Sequence, residues 1–217
     1  MVKVIGVQFN SSLKTYDFKP GRHKVVLNDH VVVETVQGIE VGKVIYTDKE
    51  VEARELEEPH KEIIRVADDK DISRWNKMRE EGDSYMPLFR QKVSELGLDM
   101  KPISVEFSFD GDRAIFFFTA ENRVDFRELI KVLSRGAQKQ VVMRQIGPRD
   151  EAKLLGGYGI CGQRVCCDRF LTQAESVSMD MAREQYETNV NANKVTGLCG
   201  RLMCCLAFEE GEKKVKK

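Results

Sequence analysis

Two short cysteine runs near the C-terminal end of the chain contain the residues best suited to chemistry. Both have the spacing C-x4-C-C, and each begins with the pattern Gly-aliphatic-Cys-Gly. All six cysteines of the 217-residue chain lie in these runs, whereas chance placement would scatter them. We therefore interpret them as a candidate metal- or cofactor-binding site made of Cys161, Cys166, Cys167, Cys199, Cys204 and Cys205.

Cysteines gathered from two loops can bind zinc, hold an iron–sulfur cluster, or cycle between thiol and disulfide. Structural zinc usually uses C-x2-C pairs, so a gap of four residues followed by adjacent cysteines matches zinc poorly. A gap of four also occurs in plant-type iron–sulfur proteins and favours a larger inorganic core. The pattern thus places a cluster ahead of zinc. A thiol–disulfide switch, or six reduced cysteines packed as small apolar side chains, stay open as alternatives.

The residues around the cysteines support a cluster. Glycines let the backbone approach closely and aim N–H groups at sulfur, and arginines can offset the negative charge of thiolates. The residues concerned are Gly156, Gly157, Gly159, Gly162, Gly197 and Gly200, with Arg164, Arg169 and Arg201.

Signatures of catalysis are missing from the sequence, so we expect a protein that is not an enzyme. Residues 157–162 match the G-x-G-x-x-G dinucleotide string, but the preceding residues, 150–155, have a helical pattern where that motif needs a strand. There is no H-E-x-x-H, P-loop or G-x-S-x-G motif. The histidines, His23, His30 and His60, lie far from the cysteines and are interpreted as surface or turn residues.

Composition and charge limit the classes of partner. The formal net charge is zero, which argues against electrostatic binding of nucleic acid through the charge of the whole protein. A local basic face that binds anions or RNA, and with it a direct RNA- or DNA-binding module, is an alternative to a plain solvated surface, which interspersed acidic residues favour. That face would comprise Arg123, Arg127, Lys131, Arg144, Arg149 and Lys153. The N-terminus has no signal-peptide pattern and no apolar run approaches 18 residues, so we expect a cytoplasmic protein without membrane insertion.

The elements that must position the cysteines indicate an α+β protein in three parts. Residues 1–58 read as a β-rich module, with strands at 2–9, 25–27, 31–36 and 39–46, and end in an acidic linker at 50–58. Residues 59–147 have the order βαββαβ, a ferredoxin-like domain. Its first strand would be 62–66, and its first helix would kink or break near Ser84 because of Gly82 and Pro87. Residues 148–217 form a cysteine-rich helical region with a mixed-charge tail.

Aromatic residues of the middle domain, Trp75 and Phe116 to Phe118, have two interpretations. They are suited to stacking on nucleic-acid bases, but their periodic apolar positions favour a buried core.

Long segments of the chain resemble the bacterial YaaT (RicT)-like stage 0 sporulation family, which has a polymerase-suppressor C-terminal-type domain. The segments are Val124–Leu129, Met143–Gly147, Arg149–Lys153, Leu154–Gly157 and both cysteine runs, of which the second reads Gly-Leu-Cys-Gly-Arg-Leu-Met-Cys-Cys. The resemblance covers nearly the whole chain and is strongest between residues 109 and 208.

The resemblance implies a non-catalytic cytoplasmic subunit of a complex that carries 4Fe–4S clusters. Its implied partners are two small helical proteins of the Ric complex type and endoribonuclease Y, with effects on messenger RNA maturation, sporulation, competence and biofilm formation. The resemblance implies that the six cysteines include cluster ligands, and it does not assign which member of each adjacent pair binds.

Three departures from the family pattern leave the cysteines intact. Ile160 stands where a proline is expected, and Gln163 intervenes between Gly162 and Arg164. Residues 191–194 read Asn-Ala-Asn-Lys in place of Asn-Pro-Thr-Lys.

Overall fold

A computed structural model describes residues 2–9, 15–35, 38–51, 62–171, 175–186 and 191–208. The chain divides into two compact units, residues 1–146 and 147–217. The first contains the strands and two helices, and the described elements of the second are short helices and hairpin loops, so the protein is α+β with a strand sheet first and helices later. Most of the predicted acidic linker (52–58), His60 and the tail after residue 208 lie outside the described residues.

The N-terminal residues form an antiparallel five-stranded sheet in the order β2-β1-β4-β3-β5. Alternating β-branched residues explain the strands, because one side of each strand faces an apolar core. The predicted strand at 25–27 is wrong: these residues lead into a turn, where Asn28 adopts φ 73°. The strands are β1 (Val2–Gln8), β2 (Thr15–Phe18), β3 (His30–Thr35), β4 (Gly38–Val51) and β5 (Ile63–Val66).

The ferredoxin-like arrangement is not confirmed, because its expected first strand belongs to the other sheet. β5 pairs antiparallel with β3, with Val31 opposite Val66, and Ile63 is buried in the core of the five-stranded sheet. The second sheet has three strands in the order β6-β7-β8, the first pair antiparallel and the second parallel. These strands are β6 (Lys101–Phe107), β7 (Arg113–Thr119) and β8 (Gln140–Gln145).

Helix α1 (Asp69–Glu95) packs against β6. A capping box of Asp68 and Asp71 starts the helix by satisfying its first backbone N–H groups. Of the kink or break expected near Ser84, the break is wrong, since the helix continues through Pro87. Gly82 serves close packing instead: a Cβ atom there would overlap the carbonyl oxygen of Val105.

The core of the second sheet lies between its strands, α1 and α2 (Arg127–Ala137). Phe116, Phe117 and Phe118 are 0–2% exposed, which confirms that they are core residues. Trp75 packs against a smaller apolar cluster around Phe109.

In the described residues of the second unit, four short named helices accompany a small apolar core of Ala182, Val195 and Leu206. Residues 205–208 are also helical. Within the described ranges, no helix combines the length and apolar character that crossing a bilayer requires. The helices are α3 (Pro148–Leu155), α4 (Cys166–Arg169), α5 (Met179–Tyr186) and α6 (Ala192–Val195).

Candidate functional site

The first cysteine run forms a tight hairpin followed by one turn of helix. The N–H of Gly159 donates to the carbonyl of Gln163 at 2.8 Å, and the N–H of Gly162 donates back to Gly159 at 3.0 Å. Cys161 lies at the tip of this hairpin and is exposed. Gly162, with φ 74°, provides the left-handed conformation that closes the turn. The chain then enters α4, which begins with the two adjacent cysteines.

The second run has the same hydrogen bonds. The N–H of Gly197 donates to Arg201 at 2.8 Å, and the N–H of Gly200 donates to Gly197 at 2.9 Å. Cys199 is at the tip, Gly200 has φ 72°, and the adjacent cysteines again lead into a helical turn.

The two loops are copies of one motif, because each position in the second follows its counterpart in the first by 38 residues, as 199 follows 161. The shared sequence context indicated a similarity, but only the backbone shows that the hydrogen bonds repeat as well. Two further features obey the same offset. The first is a backbone hydrogen bond, from the N–H of Val165 to Gly157 in one loop and from the N–H of Met203 to Val195 in the other. The second is an antiparallel β-bridge, which joins Tyr158 to Arg164 and Thr196 to Leu202.

The first glycine of each motif lies beside the thiol at the hairpin tip, at ordinary van der Waals distance. A Cβ atom on Gly159 would lie 3.4 Å from Sγ of Cys161, and one on Gly197 would lie 3.9 Å from Sγ of Cys199. The two loops also touch each other: a Cβ atom on Gly157 would lie 2.7 Å from Cδ2 of Leu198. The fold therefore places the two halves of the candidate site side by side.

Cys167 is the cysteine that links the two loops electrostatically. Burial raises the pKa of its thiol, and the neighbouring Cys204 and Cys199 raise it further, while Arg149 opposes the shift. Of the six predicted ligands, Cys167 thus lies within electrostatic reach of both Cys199 and Cys204. Cys161 is exposed, and the other five cysteines are partly buried.

Within the described part of the chain, no three His, Cys, Asp or Glu side chains form a group that could hold one metal ion. Zinc gathers four ligands on a single atom, whereas each thiolate of a 4Fe–4S cluster binds a different iron. Ligands of a cluster are therefore more widely spaced than ligands of zinc. The soft thiol donors of the two touching loops fit an iron–sulfur cluster by their chemistry, and the ligand set itself stays a prediction.

Helix α3 contributes positive charge to the site, from two residues of the basic face that the sequence suggested. α3 packs against α4. Burial lowers the pKa of Lys153, and the nearby Cys167, Asp150 and Asp168 act in the opposite direction. The Nε atom of Arg149 is buried without a hydrogen-bond partner among the described residues.

Arg164, which the sequence suggested as a neutralising charge for thiolates, instead binds a carboxylate. Its Nη2 atom lies 2.5 Å from Oδ2 of Asp168. The cations beside Cys167 therefore come from α3, from residues that the sequence assigned only to a basic surface.

Apolar side chains at equivalent positions of the two loops are exposed. Ile160 and its counterpart Leu198 are 61% and 53% exposed, and Phe170 and its counterpart Phe208 are 66% and 52% exposed. Each loop thus carries the same two exposed apolar positions, so this exposure is part of the repeated motif.

The G-x-G-x-x-G string is not a dinucleotide site. Its residues follow helix α3 and lie in the first hairpin, so the strand before it and the long helix after it are both missing. His30 packs against Trp75 with ring centroids 5.5 Å apart, and His23 lies in a turn. On the surface of α2, Arg127 pairs with Asp125 at 2.6 Å, which weakens the case for a basic face there.

Comparison with known proteins gives the family. The PSP1 C-terminal conserved region matches residues 61–146, and the third domain of PSP1-like proteins matches residues 176–212. Over all 217 residues the chain is 45% identical to the stage 0 sporulation protein YaaT of Bacillus subtilis (strain 168), and it covers 78% of that protein. The chain belongs to the YaaT-like PSP1 family. In this PSP1-family chain the second cysteine run lies inside a matched region, and the first lies between the two. No solved structure matches it.

Proposed function

We propose that this protein is a non-catalytic regulatory or scaffold subunit of a bacterial complex that carries 4Fe–4S clusters and modulates endoribonuclease-dependent maturation of messenger RNA. The pair of touching cysteine hairpins is the observation that carries the proposal, because it presents six soft thiol ligands from two copies of one motif. Each bound cluster would supply a redox- and oxygen-sensitive centre to the complex.

A role in sporulation follows from the relative named stage 0 sporulation protein, which is 45% identical over the whole chain. Competence and biofilm formation belong to the same proposal, as does a cytoplasmic location, since cysteine-based metal sites need a reducing compartment.

The exposed apolar residues of both loops support a complex with other subunits. We assign this surface to two small helical partners of the Ric type, with endoribonuclease Y as the enzyme that the complex serves. Four apolar side chains beside the thiols would then be covered by partners, which also shields a cluster from solvent.

The decisive experiment is purification under strict exclusion of oxygen, with the chain alone and coexpressed with the two helical partners. We expect iron and acid-labile sulfide in equal amounts, with visible absorbance and a Mössbauer spectrum of a 4Fe–4S cluster. Cys167→Ser should lower the iron content, whereas Arg183→Gln, which changes an exposed residue of α5, should leave it unchanged.

Absence of iron in every preparation would overturn the proposal that the protein binds a cluster. If mild oxidation then removed thiols reversibly in metal-free protein, the loops would be a redox switch instead. The proposed role in messenger RNA maturation is tested by mapping transcript 5′ ends in a strain that carries only the Cys167→Ser protein. They should show the same loss of endoribonuclease-dependent ends as a strain without the gene, and normal ends would contradict the proposal.

A further inference from the structure

The five-stranded sheet of the first unit closes into a small barrel. Its outer strands meet where Lys19, next to β2, forms a parallel bridge with Glu62, next to β5, and the N–H of Ile63 donates to the carbonyl of Lys19 at 3.1 Å. Every strand contributes to the buried core, through Val7, Phe18, Val33, Val44 and Ile63. Five-stranded barrels of the OB type bind oligonucleotides with a strand face and the loops beside it, although a shared shape decides no function.

The loop between β2 and β3 carries exposed cations. Residues 19–28 contain three Lys or Arg residues and no Asp or Glu. Arg22 and Lys24 are exposed, and neither forms a salt bridge within the described residues. One carboxylate approaches the loop, since a Cβ atom on Gly21 would lie 3.1 Å from Oε2 of Glu62. It offsets only part of the positive charge, which leaves the loop suited to an anionic ligand.

Hydrogen bonds and one apolar anchor fix the shape of this loop. Val25 packs against the core of the barrel. The carboxylate of Asp29 accepts a hydrogen bond from the N–H of Val26 at 2.9 Å, so it serves the loop backbone. The N–H of Val44 donates to the carbonyl of Asp29 at 2.8 Å, which returns the loop to the sheet beside Lys43. A preformed loop loses little conformational entropy when it binds a ligand.

Cations and aromatic rings continue from the end of the loop along the outside of the barrel. The exposed Lys43 of β4 lies opposite His30 of β3 in the antiparallel register. The ring of His30 lies 5.5 Å from the ring of Trp75, and the guanidinium of Arg79 lies 5.2 Å from the centre of the Trp75 ring. Both rings are partly exposed. Aromatic groups therefore border the cations on this surface.

This combination fits a single-stranded nucleic acid. Lys and Arg side chains neutralise phosphates, and bases of any sequence stack on aromatic rings. Anionic membranes are bound by clusters of about four to eight Lys or Arg residues with an inserted apolar face. The loop has fewer cations than that and exposes two neighbouring aliphatic side chains, Val26 and Leu27. An RNA strand therefore matches the surface better than a bilayer does.

We propose that the β2–β3 loop, through Arg22 and Lys24, and the adjoining Lys43, His30 and Trp75 form a binding surface for single-stranded RNA. The cations contact phosphates and the rings stack on bases, so binding depends little on sequence. The inference rests on the proposed function, in which the complex acts on messenger RNA. It gives the transcript a site on the barrel, separate from the cysteine runs.

Fluorescence anisotropy of a labelled single-stranded RNA of about 16 nucleotides measures binding to the full-length protein. Arg22→Gln/Lys24→Gln should weaken binding about tenfold. It should also reduce the slope of log affinity against log salt concentration by about 1.4, because each phosphate contact contributes about 0.7. Trp75 is the single tryptophan of the chain, so RNA should quench the intrinsic fluorescence over the same concentration range.

Three controls separate a local site from general charge. Arg22→Lys/Lys24→Arg keeps both charges and should bind RNA like the wild type. Arg90→Gln/Arg135→Gln removes two exposed charges from helices of the same unit and should weaken binding less than about twofold. Vesicles of phosphatidylcholine with phosphatidylglycerol offer the anionic phosphates of lipid, and we expect no binding to them that depends on Arg22 and Lys24.

Three results would overturn the RNA surface. They are absence of RNA binding by the wild type, equal binding by the wild type and Arg22→Gln/Lys24→Gln, and binding that leaves the fluorescence of Trp75 unquenched. Vesicle binding that this variant abolishes, in a protein that does not bind RNA, would assign the loop to lipid instead.

Failure of the cluster proposal gives a different pattern. Arg22→Gln/Lys24→Gln should keep the iron content of the wild type, and Cys167→Ser should keep its affinity for RNA. Protein without iron in every preparation that still binds RNA through the loop would retain the RNA surface and reject only the cluster.

Discussion

Cys161 and Cys199 occupy the same position in two hairpins that share their backbone hydrogen bonds and lie in contact through Gly157 and Leu198. Neither hairpin has enough thiols at its tip to hold a cluster alone. Two copies of the hairpin together supply the ligands, and both copies use the same local backbone structure. The repeat also means that equivalent substitutions should have equivalent effects, which makes the arrangement testable.

Gly162 and Gly200 should respond alike to alanine. Both have positive φ, 74° and 72°, and no atom would meet a Cβ within 4 Å, so the cost is backbone strain alone. We expect each substitution to lower the free energy of unfolding by about 1 kcal/mol. Urea denaturation checks this, with Gly197→Ala as the control, because its φ is not positive and its Cβ would make only ordinary van der Waals contacts. A loss at only one of the two positions would show that the loops are not equivalent.

Gly82→Ala should destabilise the protein although alanine favours helices. Its Cβ atom would overlap the carbonyl oxygen of Val105, and a strand backbone cannot move away cheaply. We expect a loss of about 2 kcal/mol, against a gain of about 1 kcal/mol from helix propensity at an open site. Gly136→Ala in α2 is the control, since its Cβ meets only the flexible end of Leu88 at 3.3 Å. Equal melting temperatures for the two variants would contradict the close packing of α1.

Glu40 should make stability depend on pH near neutrality. Burial raises its pKa from 4.5 to about 7, the nearby Asp110 raises it too, and the charge of Arg144 and a hydrogen bond from Thr35 oppose the shift. The folded state therefore prefers the protonated acid, and stability falls as pH rises from about 4.5 to 7.

Glu40→Gln should remove that loss. The difference in unfolding free energy between pH 5 and pH 8 should shrink by up to about 3 kcal/mol relative to the wild type. Glu121→Gln, at an exposed position, is the matched control. A pH profile that Glu40→Gln leaves unaltered would show that another group is responsible.

Asp71 should stabilise the start of α1 through its charge. Its carboxylate accepts hydrogen bonds from Arg65 of β5, one of them at 2.8 Å, and from the N–H of Asp68 at 3.0 Å. The Arg65 guanidinium contributes most to lowering the pKa of Asp71 from 3.8 to about 2. The stabilisation is therefore complete above pH 3.8 and is lost as pH falls towards 2.

Asp71→Asn should cost about 2 kcal/mol at pH 7, because it removes the charge from these hydrogen bonds. Asp69→Asn, in the same helical turn but exposed, should cost much less. Chemical denaturation at pH 7 and pH 3 distinguishes them, since the difference between the two variants should narrow at the lower pH. A constant difference would indicate a loss of packing rather than of charge.

The sequence by itself determined the candidate site and most of the local structure. Six cysteines confined to two similar runs identify a site without coordinates, because their spacing and glycines are local properties. The burial of Phe116 to Phe118 was likewise predictable from a continuous apolar run next to an alternating strand.

The tertiary structure decided what depends on partners distant in sequence. The sequence of Ile63–Val66 predicts a strand but not the sheet to which it belongs. Long-range pairing places it beside β3 and leaves the second sheet with three strands. Gly82 and Pro87 favour a break locally, yet packing against β6 keeps α1 continuous.

The same reason explains the charges of the site. From the sequence, Arg149 and Lys153 were interpreted as surface residues, and Arg164 was expected beside the thiolates. Both interpretations used separation along the chain, which does not give separation in space. Folding packs α3 against α4, pairs Arg164 with Asp168, and leaves the α3 cations near Cys167. Residue types and spacing fix which chemistry is available, and the three-dimensional packing fixes which charges act on it.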